Sequence, residues 1–201
     1  FGTDHVGRDI FARVLYGGRF SLMIGLCSTL IALFFGAIIG SIAAVVRKSF
    51  SEAIMRVMDI VMAVPGIAMA AVSVLVFGRT LSKSGNTFGL VVVIICSIAF
   101  VYIPQLSRIV RANVMAAYGE DYVRAVIVSG ARAPWILTKH VMRNTAAPVL
   151  VFATVLVADA IILEASLTFI GSGLQATTVA TWGNVLSEAS SNLSVLLGKW
   201  W

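Results

Sequence analysis

Between Arg19 and Arg47 the chain carries no charged side chain at all. The run "FSLMIGLCSTLIALFFGAIIGSIAAVV" fills positions 20–46. About 20 apolar residues suffice for a helix to cross a bilayer. Further apolar runs follow from Ile60 to Gly78, from about Thr87 to Leu106, and from about Ala146 to Ile170, the last broken by Asp159 and Glu164. Across the 201 residues 59% are hydrophobic and only 12% are charged, against about 25% charged in an average soluble domain. A water-soluble fold of this size has too little interior for so much apolar surface. The sequence therefore predicts an all-α integral membrane protein with spanning helices over 20–46, 54–78, 87–112 and 146–170.

The net charge is +6. In a soluble protein that would suggest nucleic acid, but here the basic residues sit at the ends of apolar runs, where positive loops belong. Four spans put "RKSFSE" (47–52) and the stretch 113–145 on one side of the membrane, and 78–87 and the C-terminal tail on the other. The stretch 113–145 and its approaches hold Arg108, Arg111, Arg124, Arg132, Lys139 and Arg143 against Glu120 and Asp121. The positive-inside rule makes that side cytoplasmic. The N-terminal 1–19 then lies outside, despite Arg8, Arg13 and Arg19, which Asp4 and Asp9 partly offset. Ile10, Phe11, Val14 and Leu15 fit either a short amphipathic surface helix or a lead-in to the first span. The chain opens on Phe1 and closes on Trp200 and Trp201, and it reads as part of a longer protein.

Other features bear on packing. Ala32, Gly36, Gly40 and Ala44 form a stripe of small residues that would let a second helix approach closely. Pro65, Pro104 and Pro148 predict kinks or helix starts. Arg56 and Asp59, one turn apart at the cytoplasmic end of the second span, are spaced to pair. Arg108 and Arg111 end the third span and can reach lipid phosphate. Cys27 and Cys96 are isolated, without metal-ligand spacing, and read as small buried hydrophobes.

The basic insert "EDYVRAVIVSGARAPWILTKHVMRN" (120–144) is too polar to span. Residues 120–129 favour a helix, Gly130 suits the left-handed residue that ends one, and Pro134 suits the first turn of the next. The result is helix, turn, helix. It serves either as a connector on lipid headgroups or as a plug for a groove on a cytoplasmic partner.

"RAVIVSG" followed by "HVMRN" resembles the EAA loop of bacterial ABC-importer permeases. Arg124, Ala125 and Val126 stand at the triplet and Gly130 at the glycine. His140, Val141, Met142, Arg143 and Asn144 match the "HVLPN" ending of the peptide branch. Val126 replaces an alanine there and Arg143 a proline, changes expected to reshape the docking contact and the start of the next helix. "FGTDHVGRDIFARVLYGGRFSL", "EAIMRVMDIVMAVP", "EASLTFIGSGLQ" and "TWG" are similar to further motifs of the C-type permeases of dipeptide and oligopeptide importers, in the same order.

This resemblance implies an ABC type I importer transmembrane domain, here about four to five of six helices, in a multi-pass protein of the bacterial plasma membrane. Residues 113–145 would be the cytoplasmic coupling loop, with Asp121, Tyr122, Arg124, Ala125, Val126, Gly130, Ala131, Pro134, His140, Arg143 and Asn144 as its working residues. Residues 171–201 would be an extracytoplasmic segment before a last helix. The implied partners are a second homologous permease, two cytoplasmic ABC ATPase subunits or domains, and an extracytoplasmic substrate-binding protein. ATP and Mg would be bound by the ATPases, and this chain would carry no cofactor, no metal and no catalytic residue. It holds no G-x-x-x-x-G-K-[ST] phosphate loop. Peptides are the implied cargo, with nickel chelates or glutathione as alternatives.

Asp159 and Glu164 lie inside the last apolar run, where an ionisable group must face protein or water. Each is a candidate for the wall of the translocation path, with a peptide amino terminus as its partner. Each also fits a structural hydrogen bond to another helix or a place near the outer interface, the favoured reading for Glu164, which lies late in the span. An ion-coupled secondary transporter would use one of them as its coupling group. An intramembrane enzyme is disfavoured: His5 and His140 fall outside the spans, and neither HExxH nor GxSxG occurs.

Overall fold

The computed structural model describes residues 2–4, 6–83, 86–174, 179–190 and 198. Parts of the 78–87 connection and of the 171–201 segment, and His5, lie outside the described residues. Eight α-helices occur among the described residues: α1 (Ile10–Val45), α2 (Lys48–Ala63), α3 (Gly66–Lys83), α4 (Thr87–Tyr118), α5 (Asp121–Val128), α6 (Ala133–Ile136), α7 (Met142–Phe169) and α8 (Trp182–Ala189). A π-helical turn, Leu137–Val141, joins α6 to α7. An isolated bridge between Thr3 and Asp9 is the extended pairing seen among the described residues.

Among the described residues three stretches are long and apolar enough to cross a membrane: Ile10–Val45, Thr87–Tyr118 and Ala133–Phe169. A fourth crossing requires α2 and α3 to count as one broken span. The sequence predicts a span over 54–78 with a kink or helix start at Pro65, and the structure breaks the helix at Val64–Pro65. Proline's ring disfavours the helical conformation in the residue before it, and here Val64 is extended, with ψ 131°. Helix α2 ends at Ala63 and α3 begins at Gly66. Nor is 10–15 a separate surface helix, for it forms the first turns of α1.

The chain divides into two compact units. One comprises Phe1–Ser28, Gly66–Ile98 and Val157–Trp201. Within it α1 and α7 approach closely. A Cβ on Gly25 would stand 2.5 Å from Ile161 Cγ1 and 3.2 Å from the Val157 carbonyl oxygen. Helix α7 ends at Gly171, whose φ of +79° lets Gly171 N–H reach Thr168 O (3.0 Å) and Ser172 N–H reach Leu167 O (2.9 Å). The returning chain then packs α8 against α7, so that a Cβ on Gly183 would meet Ala165 Cα at 2.8 Å.

The other unit comprises Thr29–Pro65 and Ala99–Leu156. Here the small-residue stripe of α1 packs against α4. A Cβ on Gly36 would lie 2.6 Å from Leu106 Cβ, and one on Gly40 would lie 2.4 Å from Ser107 O. The core continues through Val110, Val114 and Ala117 of α4, Val123 of α5, Ile136 of α6, Val141 and Val149. The helix–turn–helix insert is thus anchored by one buried residue on each of its short elements. Cys27 is half-buried and Cys96 exposed; both are free thiols, so Cys96 is not the buried hydrophobe its sequence setting suggests.

Candidate functional site

The insert 120–144 folds as its punctuation dictates. Helix α5 starts at Asp121, whose carboxylate suits the positive end of a helix. It ends in a left-handed turn at Gly130, φ +84°. Gly130 N–H donates to Ile127 O (3.0 Å) and Ala131 N–H to Val126 O (3.4 Å), which satisfies two carbonyls left open at the helix end. Pro134 occupies the first turn of α6, where its missing N–H costs nothing. Helical structure runs on from Ala133 to Phe169 through the π-turn, past Arg143 and with Pro148 inside α7.

Two faces result. Val123 is fully buried and Val126 packs against the same core. Val126, the departure from the family triplet, therefore points inward. The outer face carries Asp121, Tyr122, Arg124, Ala125, Ile127 and Val128, all exposed, the last at 87%. Arg124 and Asp121 are 3.7 Å apart on that face, a contact that solvent leaves with little energy. Arg132, Pro134, Trp135, Lys139, Arg143 and Asn144 are also exposed. Asn144 Nδ2 donates to Tyr122 Oη (2.9 Å), tying α5 to the start of α7. The His140 ring stacks at a tilt on Trp135, centroids 4.9 Å apart. Its buried Nε2 has no hydrogen-bond partner among the described residues.

In the same unit Asp59 pairs with Arg108 of α4 and not with Arg56. Arg56 is exposed. Arg111 Nε donates to Ser51 Oγ (3.0 Å). The contacts join α2 to α4 across 49 and 60 residues of sequence, so Asp59 ties two helices together where a pair within α2 would have tied none.

The two acids of the last span have different surroundings. Glu164 is wholly enclosed. Ser21 Oγ donates to Oε2 (3.1 Å), Thr168 Oγ1 to Oε1 (3.0 Å), and the Thr181 hydroxyl also bonds the carboxyl group. Ser21 Oγ in turn accepts from Trp182 N–H (3.1 Å). Thr181 caps α8 by accepting from Asn184 N–H (3.2 Å). Trp182 Nε1 donates to Val14 O (2.9 Å). Glu164 thus fastens α1, α7 and the start of α8 together. Asp159 lies exposed on α7.

Around these lies a set of residues whose motif was visible but whose role was not. Arg8 bonds Asp4 (2.7 Å) and Glu188 (2.9 Å), while Arg13 bonds Asp4 (3.1 Å) and Glu188. Asp4, Arg8 and Arg13 are thereby clamped to Glu188 of α8. Burial raises the Asp4 pKa, but hydrogen bonds from Arg8 and Val6 and the Arg8 charge outweigh it, lowering the carboxyl from 3.8 to about 2. Burial likewise raises Glu188, and Arg13 and Arg8 more than reverse it. A carboxyl depressed by folding contributes stability above its unfolded pKa and loses it as pH falls towards the folded one. The clamp is therefore expected to hold at neutral pH and to release between about pH 4 and pH 2. Hydrogen exchange of residues 2–9 and of α8 across that range checks this. Asp4→Asn should remove most of the acid-dependent step, and an unchanged profile would sink the assignment.

A family model described as "binding-protein-dependent transport system inner membrane component" matches residues 36–198. A Brucella suis protein provisionally named as a peptide transport system permease is 38% identical over 201 residues, all of this chain and 63% of that protein. The di/tripeptide transport system permease protein DppC of Pseudomonas aeruginosa is 36% identical over 200 residues, 100% of this chain and 61% of its own. The fold is similar to that of the MetNI methionine ABC transporter in an inward-facing conformation, with TM-score 0.72, 16% identity, and 94% of this chain and 86% of that one covered. This chain belongs to the binding-protein-dependent transport permeases, a family of inner-membrane transport components. It spans less than two thirds of the length of these permease relatives.

Proposed function

We propose that the chain is a permease subunit of an ATP-driven importer that moves peptides across the bacterial plasma membrane. It forms half of the translocation path with a second, homologous permease. It catalyses no reaction; ATP and Mg are bound by two cytoplasmic ATPase subunits or domains, and an extracytoplasmic binding protein delivers the substrate. The observation that carries this reading is the insert: its outer face, from Tyr122 to Val128, is exposed while its inner face is locked into the core of the α1–α4 unit. A stiff element, held on one side and open on the other, transmits force when its open side sits in a partner's groove. Peptide as cargo rests on the names of the relatives, which are peptide, dipeptide and di/tripeptide permeases.

The test uses the full-length protein expressed with its partners. Wild type is expected to bring an ATPase subunit through purification and to support ATP-dependent peptide uptake in proteoliposomes. Ala125→Trp places bulk on the exposed face without touching the core, and should lower uptake at least about tenfold at unchanged yield and melting temperature, as a blocked hot spot of about 1.4 kcal/mol or more would. Wild type that purifies without any ATPase, or Ala125→Trp protein that transports normally, would remove the docking role.

A further inference from the structure

The exposed flank of α7 in the first unit combines a carboxylate with an apolar hollow. The buried seam of this part of the helix is Ala160, Glu164 and Leu167, all fully enclosed. Asp159 is rotated about 100° from Ala160, and it is exposed. None of the described residues donates to its carboxylate or pairs with it. Toward the end of α7 lies a hollow of about 420 Å³ lined by Ile162, Ala165, Ser166, Phe169, Ile170 and Leu186. That volume falls in the roughly 300–1,000 Å³ range of small-ligand pockets. By helix geometry Ser166 stands about 10 Å along the axis from Asp159 and within about 20° of it in rotation, while Ile162 is about 4.5 Å along. A carboxylate in a spanning helix does not face hydrocarbon. This flank of α7 therefore faces water or protein, and its charge asks for a cation.

We infer that this flank lines the aqueous path and that Asp159 takes the amino-terminal ammonium of the transported peptide, with a following side chain seated in the hollow beyond Ile162. The inference rests on the importer reading above and gives it a recognition chemistry. An extended peptide advances about 3.3 Å per residue, so an ammonium on Asp159 brings the first two or three side chains alongside Ile162 and Ser166. The hollow is apolar and open, and it accepts varied side chains; the ammonium, common to every peptide with a free amino terminus, supplies the fixed point.

The test uses the full-length permease assembled with its partner subunits and binding protein in proteoliposomes, with Cys27 and Cys96 replaced by serine. Asp159→Cys should react with a membrane-impermeant methanethiosulfonate, and excess peptide should slow that reaction at least fivefold. Asp159→Asn should raise the KM for uptake about tenfold with kcat little changed, and Asp159→Glu should restore most of the loss. A transporting Asp159→Cys complex that stays unlabelled overturns the inference alone. So does Asp159→Asn protein with wild-type KM, or one that no longer assembles with its partners, which would place Asp159 in a subunit contact. Wild type that purifies without an ATPase overturns the importer reading and this inference together.

Discussion

Gly40→Leu is expected to prevent accumulation of folded protein, whereas Val151→Leu on the exposed flank of α7 should leave it unchanged. A Cβ at position 40 would stand 2.4 Å from the carbonyl oxygen of Ser107, 2.8 Å from Val110 Cβ and 3.1 Å from Arg111 N. Two of these three atoms belong to the α4 backbone, so no rotamer change relieves the clash; the helices must separate. Separation opens gaps at Gly36 against Leu106 and along the core from Val110 to Ala117, which also holds Val123 of the insert. Overpacking in a core costs about 1–3 kcal/mol where side chains yield, and the cost here should exceed that range. Within a membrane, helix association relies on such close packing because lipid offers no hydrophobic drive between helices. Fluorescence-detected size exclusion after detergent extraction, with a melting curve of whatever survives, measures the effect. Wild-type yield and melting temperature for Gly40→Leu would mean that the α1–α4 contact is not the one described.

The same stripe shows what a sequence reveals and what it withholds. Small residues every fourth position announce a close helix contact, and the contact exists, but nothing in the stripe names α4 as the partner. The spans were legible because uncharged runs as long as 20–46 have few alternatives. The turn in the insert was legible because Gly130 and Pro134 act through their own backbone chemistry. Pro65 signalled an interruption, and α2 and α3 are separate helices on either side of it. Asp59 has a cation one turn away in Arg56, yet the geometry gives it Arg108, 49 residues on. Local spacing offers candidates, and tertiary packing chooses among them. The π-turn at Leu137–Val141 had no signal in the local sequence pattern.

Glu164 carries the second large expectation, and its outcome turns on groups no local pattern identifies. Its hydroxyl partners come from position 21 in α1, one turn on in α7, and position 181 before α8. Glu164→Ala removes the shared acceptor. Thr168 can turn its hydroxyl back to its own helix, but Ser21 is already held from the other side by Trp182 N–H. An unsatisfied buried polar group costs about 1–3 kcal/mol, so Glu164→Ala should destabilise the protein by roughly 3 kcal/mol, with a cavity adding to it. Glu164→Gln keeps the volume and one strong acceptor and should cost about 1 kcal/mol. The loss should localise. With Thr181 and Trp182 released, α8 should exchange its amide hydrogens faster, and the close fit of Gly17 and Gly18 against Thr181 and Trp182 should open. The Asp4–Arg8–Arg13–Glu188 clamp should weaken with it, since Glu188 rides on α8. The insert, in the other unit, should keep its protection. Exchange of α8 at the wild-type rate in Glu164→Ala, together with an unchanged melting temperature, would show that the carboxyl group fastens nothing. Failure of peptide uptake without any loosening of α8 would return Glu164 to the translocation path.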